Sequence, residues 1–127
     1  MVPVPPAEKV HRCVARTNVT MLAETITQIR ANEMKKGDVL GTARFAGLHA
    51  TVGANPATAL ADESDLQLGF AVSEFAIEIT ATAAAAQLAR ARSTALTAAA
   101  VAALTIYDMC KSIDRHMVIE SLKVESS

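Results

Sequence analysis

A long helical pattern over residues 92–115 limits the possible folds more than any other segment. Its apolar residues follow one another by steps of four and three, so they share one face of an α-helix. They are Ala99, Ala103, Ile106, Cys110 and Ile113. An alanine-rich helix presents a wide, shallow apolar face that a second subunit can complete. We therefore predict a long helix and a homo-oligomer.

Charged residues form a neighbouring stripe on the same predicted helix. Asp108, Lys111 and Arg115 recur at helical spacing, so an acid and two bases project from one side of its C-terminal half. An Asp and a Lys three residues apart on a helix usually form only a solvated ion pair of about 0.3 kcal/mol. From spacing alone, the stripe is either such a pair or part of a site.

Two shorter helices are predicted earlier in the chain, after a half-buried extended segment at residues 10–21. The first helix is expected over residues 23–32, and the second over residues 38–49, with Asp38 as its capping residue. A turn at Gly37 separates the two helices. We expect Gly47 to mark close packing of the second helix.

Strand patterns complete the set of elements. After a predicted loop over residues 51–64, apolar residues alternate over 66–72 and over 77–81, which predicts two strands joined by a hairpin at 73–74. A closing strand is predicted at residues 118–124. Strands early, middle and late with helices between them predict an α+β fold: a ferredoxin-like antiparallel sheet with helices packed on one face.

The composition excludes several classes of protein. The 127 residues are 51% hydrophobic and 20% charged with a formal net charge of -1, which is typical of one soluble globular domain over residues 1–127. This balance argues against nucleic acid as a partner. The apolar stretch 95–106 is shorter than the roughly 20 residues of a membrane span.

The two cysteines, Cys13 and Cys110, match neither a metal pair nor a disulfide framework. Cys110 lies on the apolar stripe of the long helix, so we expect it to be a buried free thiol. These features predict a cytoplasmic protein with no cofactor and no metal.

Two blocks of sequence resemble a known enzyme family. ALTAAAVAALTIYDMCK at residues 95–111 is similar to the signature helix of the cyclic pyranopterin monophosphate synthases, the MoaC proteins. KGDV and then TARFAG, within residues 36–47, resemble the family's Lys-Gly-Asp-Val helix start. With the N-terminal segment around residues 19–25, which also looks like the family's, the blocks cover roughly half of the chain.

The resemblance implies a ferredoxin-like domain assembled as a hexamer, built from three dimers, with active sites at the dimer interfaces. It also implies a reaction of molybdenum-cofactor biosynthesis. In that reaction a cyclic dihydro-GTP intermediate (3',8-cH2GTP) is rearranged into cyclic pyranopterin monophosphate, and pyrophosphate is released. The family is therefore one of lyases that act on a GTP-derived small molecule.

Three residues, Lys36, Asp108 and Lys111, match active-site positions of that family. A triphosphate needs several cations to bind it, and ring closure needs groups that give and take protons. On the resemblance, Lys36 and Lys111 bind substrate and transfer protons, because an ammonium pairs with phosphate and the pKa of a lysine falls readily beside other cations. Asp108 would orient Lys111 or tune its charge, and Arg44 would add positive charge for the phosphates.

Two family motifs are absent. Where the family has Leu-Cys-His-Pro, this chain has LADE at residues 60–63, so the active-site histidine is missing. Where the family has Gly-Val-Glu-Met-Glu, Arg90 replaces the glycine, and Arg92 and Thr94 replace the glutamates. None of the remaining histidines matches the missing one, and we expect all three at the surface: His11, His49 and His116.

Three functions compete on these grounds. The chain is an active lyase, a catalytically impaired homologue that acts as a structural or regulatory subunit, or a nucleotide-binding module. Two explanations of the altered centre are also open: a divergent relative, or a stretch at residues 51–94 that differs from the true coding sequence. Sequencing the coding DNA across this stretch would separate them.

Overall fold

A computed structural model of the chain describes residues 10–52 and 65–126. In this part of the chain, three helices accompany an antiparallel sheet with the strand order β2-β3-β1-β4. The elements in chain order are β1 His11–Thr20, α1 Ala23–Arg30, α2 Val39–Val52, β2 Leu66–Val72, β3 Ala76–Ala85, α3 Leu88–Cys110 and β4 Val118–Ser126. The predicted α+β class is confirmed, and the arrangement is consistent with a ferredoxin-like fold.

The sheet buries every second residue of its central strands, as the sequence period of two requires. In β1 the buried residues are Cys13, Ala15, Thr17 and Val19, and in β3 they include Ile77, Ile79 and Ala81. The alternate residues of β1 lie on the opposite, more exposed face, where Arg16 forms ion pairs with Glu78 and Glu125. The helices therefore cover the apolar face of the sheet.

The long helix α3 spans Leu88–Cys110, so the predicted bounds of 92–115 were wrong at both ends. Ile113 is 45% exposed and does not continue the buried stripe, and Arg115 lies beyond the helix. The physical reason is a turn: the amides of Ile113 and Asp114 both donate to the carbonyl of Cys110, at 3.0 and 3.1 Å. Local periodicity does not reveal where such a turn ends a helix.

Alanines on α3 bring the helix close to the sheet. Ala95, Ala99 and Ala103 are completely buried, and α3 contacts all four strands. Among the described residues, this is the one helix whose length and composition would allow it to cross a membrane. Of its apolar stretch, 50% is buried inside the protein, whereas Leu104 and Tyr107 on the same helix are exposed.

Two turns place the loop between α1 and α2. After α1, Asn32 adopts a left-handed conformation with φ 56°, and the amides of Asn32 and Glu33 donate to the carbonyls of Ile29 and Gln28. This pattern is a Schellman motif, which ends a helix and reverses the chain. Gly37 then turns the chain with φ 106°, a conformation that glycine adopts without strain, as predicted.

Asp38 caps α2 as the sequence predicts, since its Oδ1 accepts a hydrogen bond from the amide of Gly41 at 3.0 Å. The helix continues to Val52, so residues 51 and 52 of the predicted loop are helical. The rest of that loop, residues 53–64, lies outside the described residues.

Gly47 lies where α2 approaches α3 and β2 closely. A Cβ at this position would lie 2.8 Å from the carbonyl oxygen of Ala98 in α3 and 2.6 Å from Cδ1 of Leu68 in β2. The prediction of close packing at Gly47 is confirmed. The contact fixes α2 against α3 and so positions the α1–α2 loop.

Candidate active site

Asp108 and Lys111 lie at the C-terminal end of α3, where the helix reaches the surface. Asp108 is in the last turn, and Lys111 is the residue that caps the helix. Their side chains form an ion pair with Nζ of Lys111 2.8 Å from Oδ1 of Asp108. The side chains are 55% and 64% exposed, so this pair by itself contributes little to stability.

Lys36 joins this pair from the loop between α1 and α2. Its Nζ donates a hydrogen bond of 3.3 Å to the backbone carbonyl of Asp108, 72 residues away along the chain. The structure thus brings together the three residues that the resemblance assigns to catalysis. We call Lys36, Asp108 and Lys111 the Asp108 cluster.

Charges within the Asp108 cluster shift the pKa values of two of its members. The hydrogen bond from Lys111, then the charges of Lys111 and Lys36, lower the pKa of Asp108. The same hydrogen bond and the charge of Asp108 raise the pKa of Lys111. This direction is opposite to the fall expected from neighbouring cations, because the nearest charge is a carboxylate. Lys111 is therefore an ammonium at neutral pH, which can bind an anion or donate a proton.

A cleft of about 370 Å³ opens beside Lys36. One wall comes from the end of α1 and the loop after it, including Met34 and Lys35, and the other from Met109, Ser112 and Ile113. Met34 and Met109 are 8% and 6% exposed and give the cleft an apolar base. Its volume falls in the range of small-molecule pockets, which span roughly 300–1,000 Å³.

Arg44, the third predicted substrate-binding residue, contacts β2 rather than the Asp108 cluster. Its Nη1 donates to the backbone carbonyl of Leu68, and its guanidinium lies 5.1 Å from the centre of the Phe70 ring. Arginine commonly stacks on aromatic rings in this way.

Those positions departing from the family motifs that lie on α3 are far from the Asp108 cluster in one chain. Arg90 and Arg92 are exposed in the first turns of α3, whereas Thr94 is completely buried. At 1.5 Å per residue, Arg92 and Asp108 are separated by about 24 Å along the helix axis. The segment 60–63, where the family has its histidine, lies outside the described residues.

Most of the histidines are exposed and the cysteines are buried free thiols, as the sequence predicts for the histidines and for Cys110. His49 and His116 are exposed, and His49 stacks on Phe45 with 5.6 Å between ring centres, whereas His11 is partly buried. Cys13 and Cys110 are buried free thiols, and burial is the main cause that raises the pKa of Cys110 to about 11. Within residues 10–52 and 65–126, no three His, Cys, Asp or Glu side chains group as metal ligands would.

Asp114 is a buried carboxylate that sequence reasoning missed. It is 2% exposed, and it accepts hydrogen bonds from the amides of Leu22 and His116 and from the hydroxyl of Thr25. One signal in the sequence could have revealed it. Helix α1 begins at an N-cap, Leu22, whose side chain has no oxygen, so its first amides need an acceptor from elsewhere.

Comparison with known proteins gives a family for this arrangement. All 127 residues, 1–127, match the MoaC family. A cyclic pyranopterin monophosphate synthase of Roseiflexus sp. (strain RS-1) is 40% identical over 124 residues, which is 92% of this chain and 77% of the relative. A protein of the same name from Novosphingobium aromaticivorans is 39% identical over 128 residues, 98% of this chain and 82% of the relative.

A third relative combines this region with additional sequence. The molybdenum cofactor biosynthesis bifunctional protein of Chlorobaculum tepidum is 34% identical over 124 residues, 95% of this chain but 39% of the relative. The match over the whole chain and the identity to the two synthases agree with the resemblance in the signature helix. This chain belongs to the MoaC family.

Proposed function

We propose that this chain converts the cyclic dihydro-GTP intermediate into cyclic pyranopterin monophosphate and pyrophosphate, as a lyase of molybdenum-cofactor biosynthesis. Membership of the MoaC family and the names of the relatives support the pathway. The observation that carries the proposal is the Asp108 cluster, in which Lys111 pairs with the carboxylate of Asp108 and Lys36 donates to its backbone carbonyl. We place this activity in the cytoplasm, with residues 1–127 acting as one domain.

The Asp108 cluster has the charges that such a reaction needs. Two ammonium groups around one carboxylate leave a net positive charge, which attracts the phosphates of a nucleotide. Lys111 keeps its proton at neutral pH and can stabilise negative charge that develops on the departing pyrophosphate. Asp108 holds both lysines in place through its carboxylate and its backbone carbonyl.

The proposed site uses two copies of the chain. Arg92 and Asp108 are about 24 Å apart along α3, too far for both ends of the helix to contact one nucleotide within a single chain. The face of one subunit that carries the Asp108 cluster would meet the α3 N-terminal end of another. We therefore propose a homo-oligomer built from dimers, with a hexamer as the complete assembly.

Turnover and binding together test this function. We expect the protein to bind GTP or inorganic triphosphate but to turn over the intermediate slowly, because the histidine motif and both glutamates are absent. Each missing acid or base typically costs about 10² to 10⁴ in rate. Such losses are not additive in one site, so the deficit can be as small as that of the most important group.

The measurement is conversion of enzymatically prepared intermediate to cyclic pyranopterin monophosphate by protein verified by intact mass, beside a relative that retains both motifs. Slow turnover that Lys111→Ala abolishes would support the lyase. Binding without any turnover would favour the catalytically impaired homologue, which the burial of Thr94 at a family glutamate position makes the second candidate. Turnover as fast as the relative's would show that other groups have replaced the missing ones.

A further inference from the structure

The buried carboxylate of Asp114 receives three hydrogen bonds from two parts of the chain. Its Oδ2 accepts from the amide of Leu22 at 2.9 Å and from Oγ1 of Thr25 at 2.7 Å, both at the start of α1. Its Oδ1 accepts from the amide of His116 at 2.7 Å. Three donors converge on the two oxygens, so an ionised carboxylate suits this position better than an amide.

One side of this contact is the turn that carries Lys111. The amides of Ile113 and Asp114 both donate to the carbonyl of Cys110, so residues 111–114 form a tight turn at the end of α3. Asp114 lies three residues after Lys111. Its contacts with α1 therefore restrict the turn from which the Lys111 side chain extends.

The other side of the contact is α1, which leads to Lys36. This helix has eight residues, so it is about 12 Å long. Asp114 holds its first turn, and the Schellman motif after its last turn begins the loop in which Lys36 donates to the carbonyl of Asp108. Asp114 thus holds the start of α1, and the hydrogen bond of Lys36 links the loop after α1 to the last turn of α3.

We propose that Asp114 is a positioning residue: by holding the start of α1 against the turn after α3, it keeps Lys36, Asp108 and Lys111 in one arrangement that binds phosphate. The phosphate-binding role of these residues rests on the proposed function. The contact itself does not, since it concerns how two elements are held together. The experiment therefore has two arms: the first tests the contact, and the second tests phosphate binding.

Variants of Thr25 test the contact with less disturbance than removal of the buried carboxylate. Thr25→Val removes the donor and keeps the branched shape, whereas Thr25→Ser keeps the hydroxyl. Thr27→Val is the matched control on the same helix, because its hydroxyl donates only within α1, to the carbonyl of Ala23 at 3.0 Å. Asp114→Asn, which keeps the size of the side chain, is the second variant of the contact.

The first arm measures amide hydrogen exchange and the backbone NMR shifts of residues 111–114 and of Lys36, at a temperature where every variant is folded. In Thr25→Val and Asp114→Asn we expect shifted Lys111 and Lys36 signals and exchange about tenfold faster at Ile113 and Asp114. Thr25→Ser and Thr27→Val should match the unmodified protein. Unchanged Lys111 and Lys36 signals in Thr25→Val and Asp114→Asn would overturn the positioning role, whatever happens to stability.

The second arm measures the affinity for inorganic triphosphate by calorimetry. For Thr25→Val we expect a Kd about fivefold higher, the loss from roughly one hydrogen bond, with recovery in Thr25→Ser. An equal Kd in Thr25→Val and Thr27→Val would overturn the inference. If the unmodified protein does not bind triphosphate at all, the proposed function fails, and the NMR arm alone decides whether Asp114 positions the cluster.

Discussion

Asp114 and Thr94 are both buried polar side chains, but they differ in whether they have hydrogen-bond partners. Asp114 is 2% exposed and has three donors, whereas Thr94 is completely buried and its hydroxyl has no hydrogen-bond partner among the described residues. A buried carboxylate is stable only when donors compensate for the water it has lost. A buried hydroxyl without a partner destabilises the fold, because the hydrogen bonds that it made to water are not replaced.

Replacement of Thr94 by valine should therefore stabilise the protein. Thr94→Val keeps the branched shape and removes an unsatisfied hydroxyl, so we expect the free energy of unfolding to rise by about 1 kcal/mol. Urea denaturation measures this change in the free energy of unfolding. The control is Thr105→Val, because the hydroxyl of Thr105 donates to the carbonyl of Val101 at 2.8 Å. A loss of stability in Thr94→Val as large as in the control would mean that the hydroxyl has a partner.

Asp114 should make the free energy of unfolding depend on pH in the acidic range. Burial opposes its ionisation, but the hydrogen bonds from Leu22, Thr25 and His116 outweigh burial and lower its pKa below the ordinary value of 3.8. The unfolded chain therefore binds a proton more readily than the folded one. The stabilisation is fully present above about pH 4 to 5 and is lost as the pH falls through the folded value.

Urea midpoints of the unmodified protein and of Asp114→Asn, measured from pH 7 to pH 2.5, test this dependence. We expect the difference in urea midpoint between the two proteins to be largest at neutral pH and to become smaller below pH 4. The charge of His116, an exposed residue beside the carboxylate, also favours the ionised form of Asp114. A difference in urea midpoint that stays constant down to the lowest pH would show that the pKa of Asp114 is not lowered.

At the scale of elements, the strands β2 and β3 in the described part of the altered centre keep regular burial and pairing. Leu66 and Leu68 of β2 are buried, as are Ile77, Ile79 and Ala81 of β3. The two strands pair in register from Leu66 with Ala83 to Val72 with Ile77. A stretch that differs throughout from the true coding sequence is not expected to keep this alternation. The pairing therefore supports a divergent relative as the explanation for residues 65–85.

The packing of α2 on α3 depends on Gly47. Gly47→Ala places a methyl group 2.8 Å from the backbone carbonyl of Ala98, which cannot move away as a side chain can. Overpacking of this kind costs about 1–3 kcal/mol, more than the roughly 1 kcal/mol that alanine gains over glycine in a helix. We expect a net loss of stability in thermal denaturation.

Gly69→Ala in β2 is the control for this prediction, since a Cβ at Gly69 has no atom within 4 Å. Equal stability of the two variants would mean that α2 can shift away from α3 without cost. In that case Gly47 would have no role in placing the loop that carries Lys36.

At the scale of the whole molecule, the outer surface retains large apolar side chains. Phe45 on α2 is 69% exposed, and Leu104 and Tyr107 on α3 are 57% and 42% exposed. In a monomer these residues would remain in contact with water. Their exposure agrees with the expectation, drawn from the alanine-rich helix, that another subunit covers part of this surface.

Light scattering tests the assembly. We expect a mass that is a multiple of 13.3 kDa and close to six chains at high concentration. Leu104→Lys should lower the mass and leave the far-ultraviolet circular dichroism unchanged, because Leu104 is exposed. Thr27→Lys on the exposed side of α1 is the control. A mass of one chain at all concentrations would exclude the proposed shared site.

The sequence by itself determined the order of strands and helices and the family, because periods of two and of three to four residues are local properties of the chain. It also placed Asp108 and Lys111 together, since three residues on a helix bring two side chains to one side. The end of α3 at Cys110, the contact of Lys36 with Asp108 and the hydrogen bonds of Asp114 to α1 were decided only by the tertiary structure. The last two join residues far apart in sequence, and the end of α3 depends on a turn that helical periodicity does not reveal. The rise in the pKa of Lys111 depends on which charge the folded chain places nearest to it.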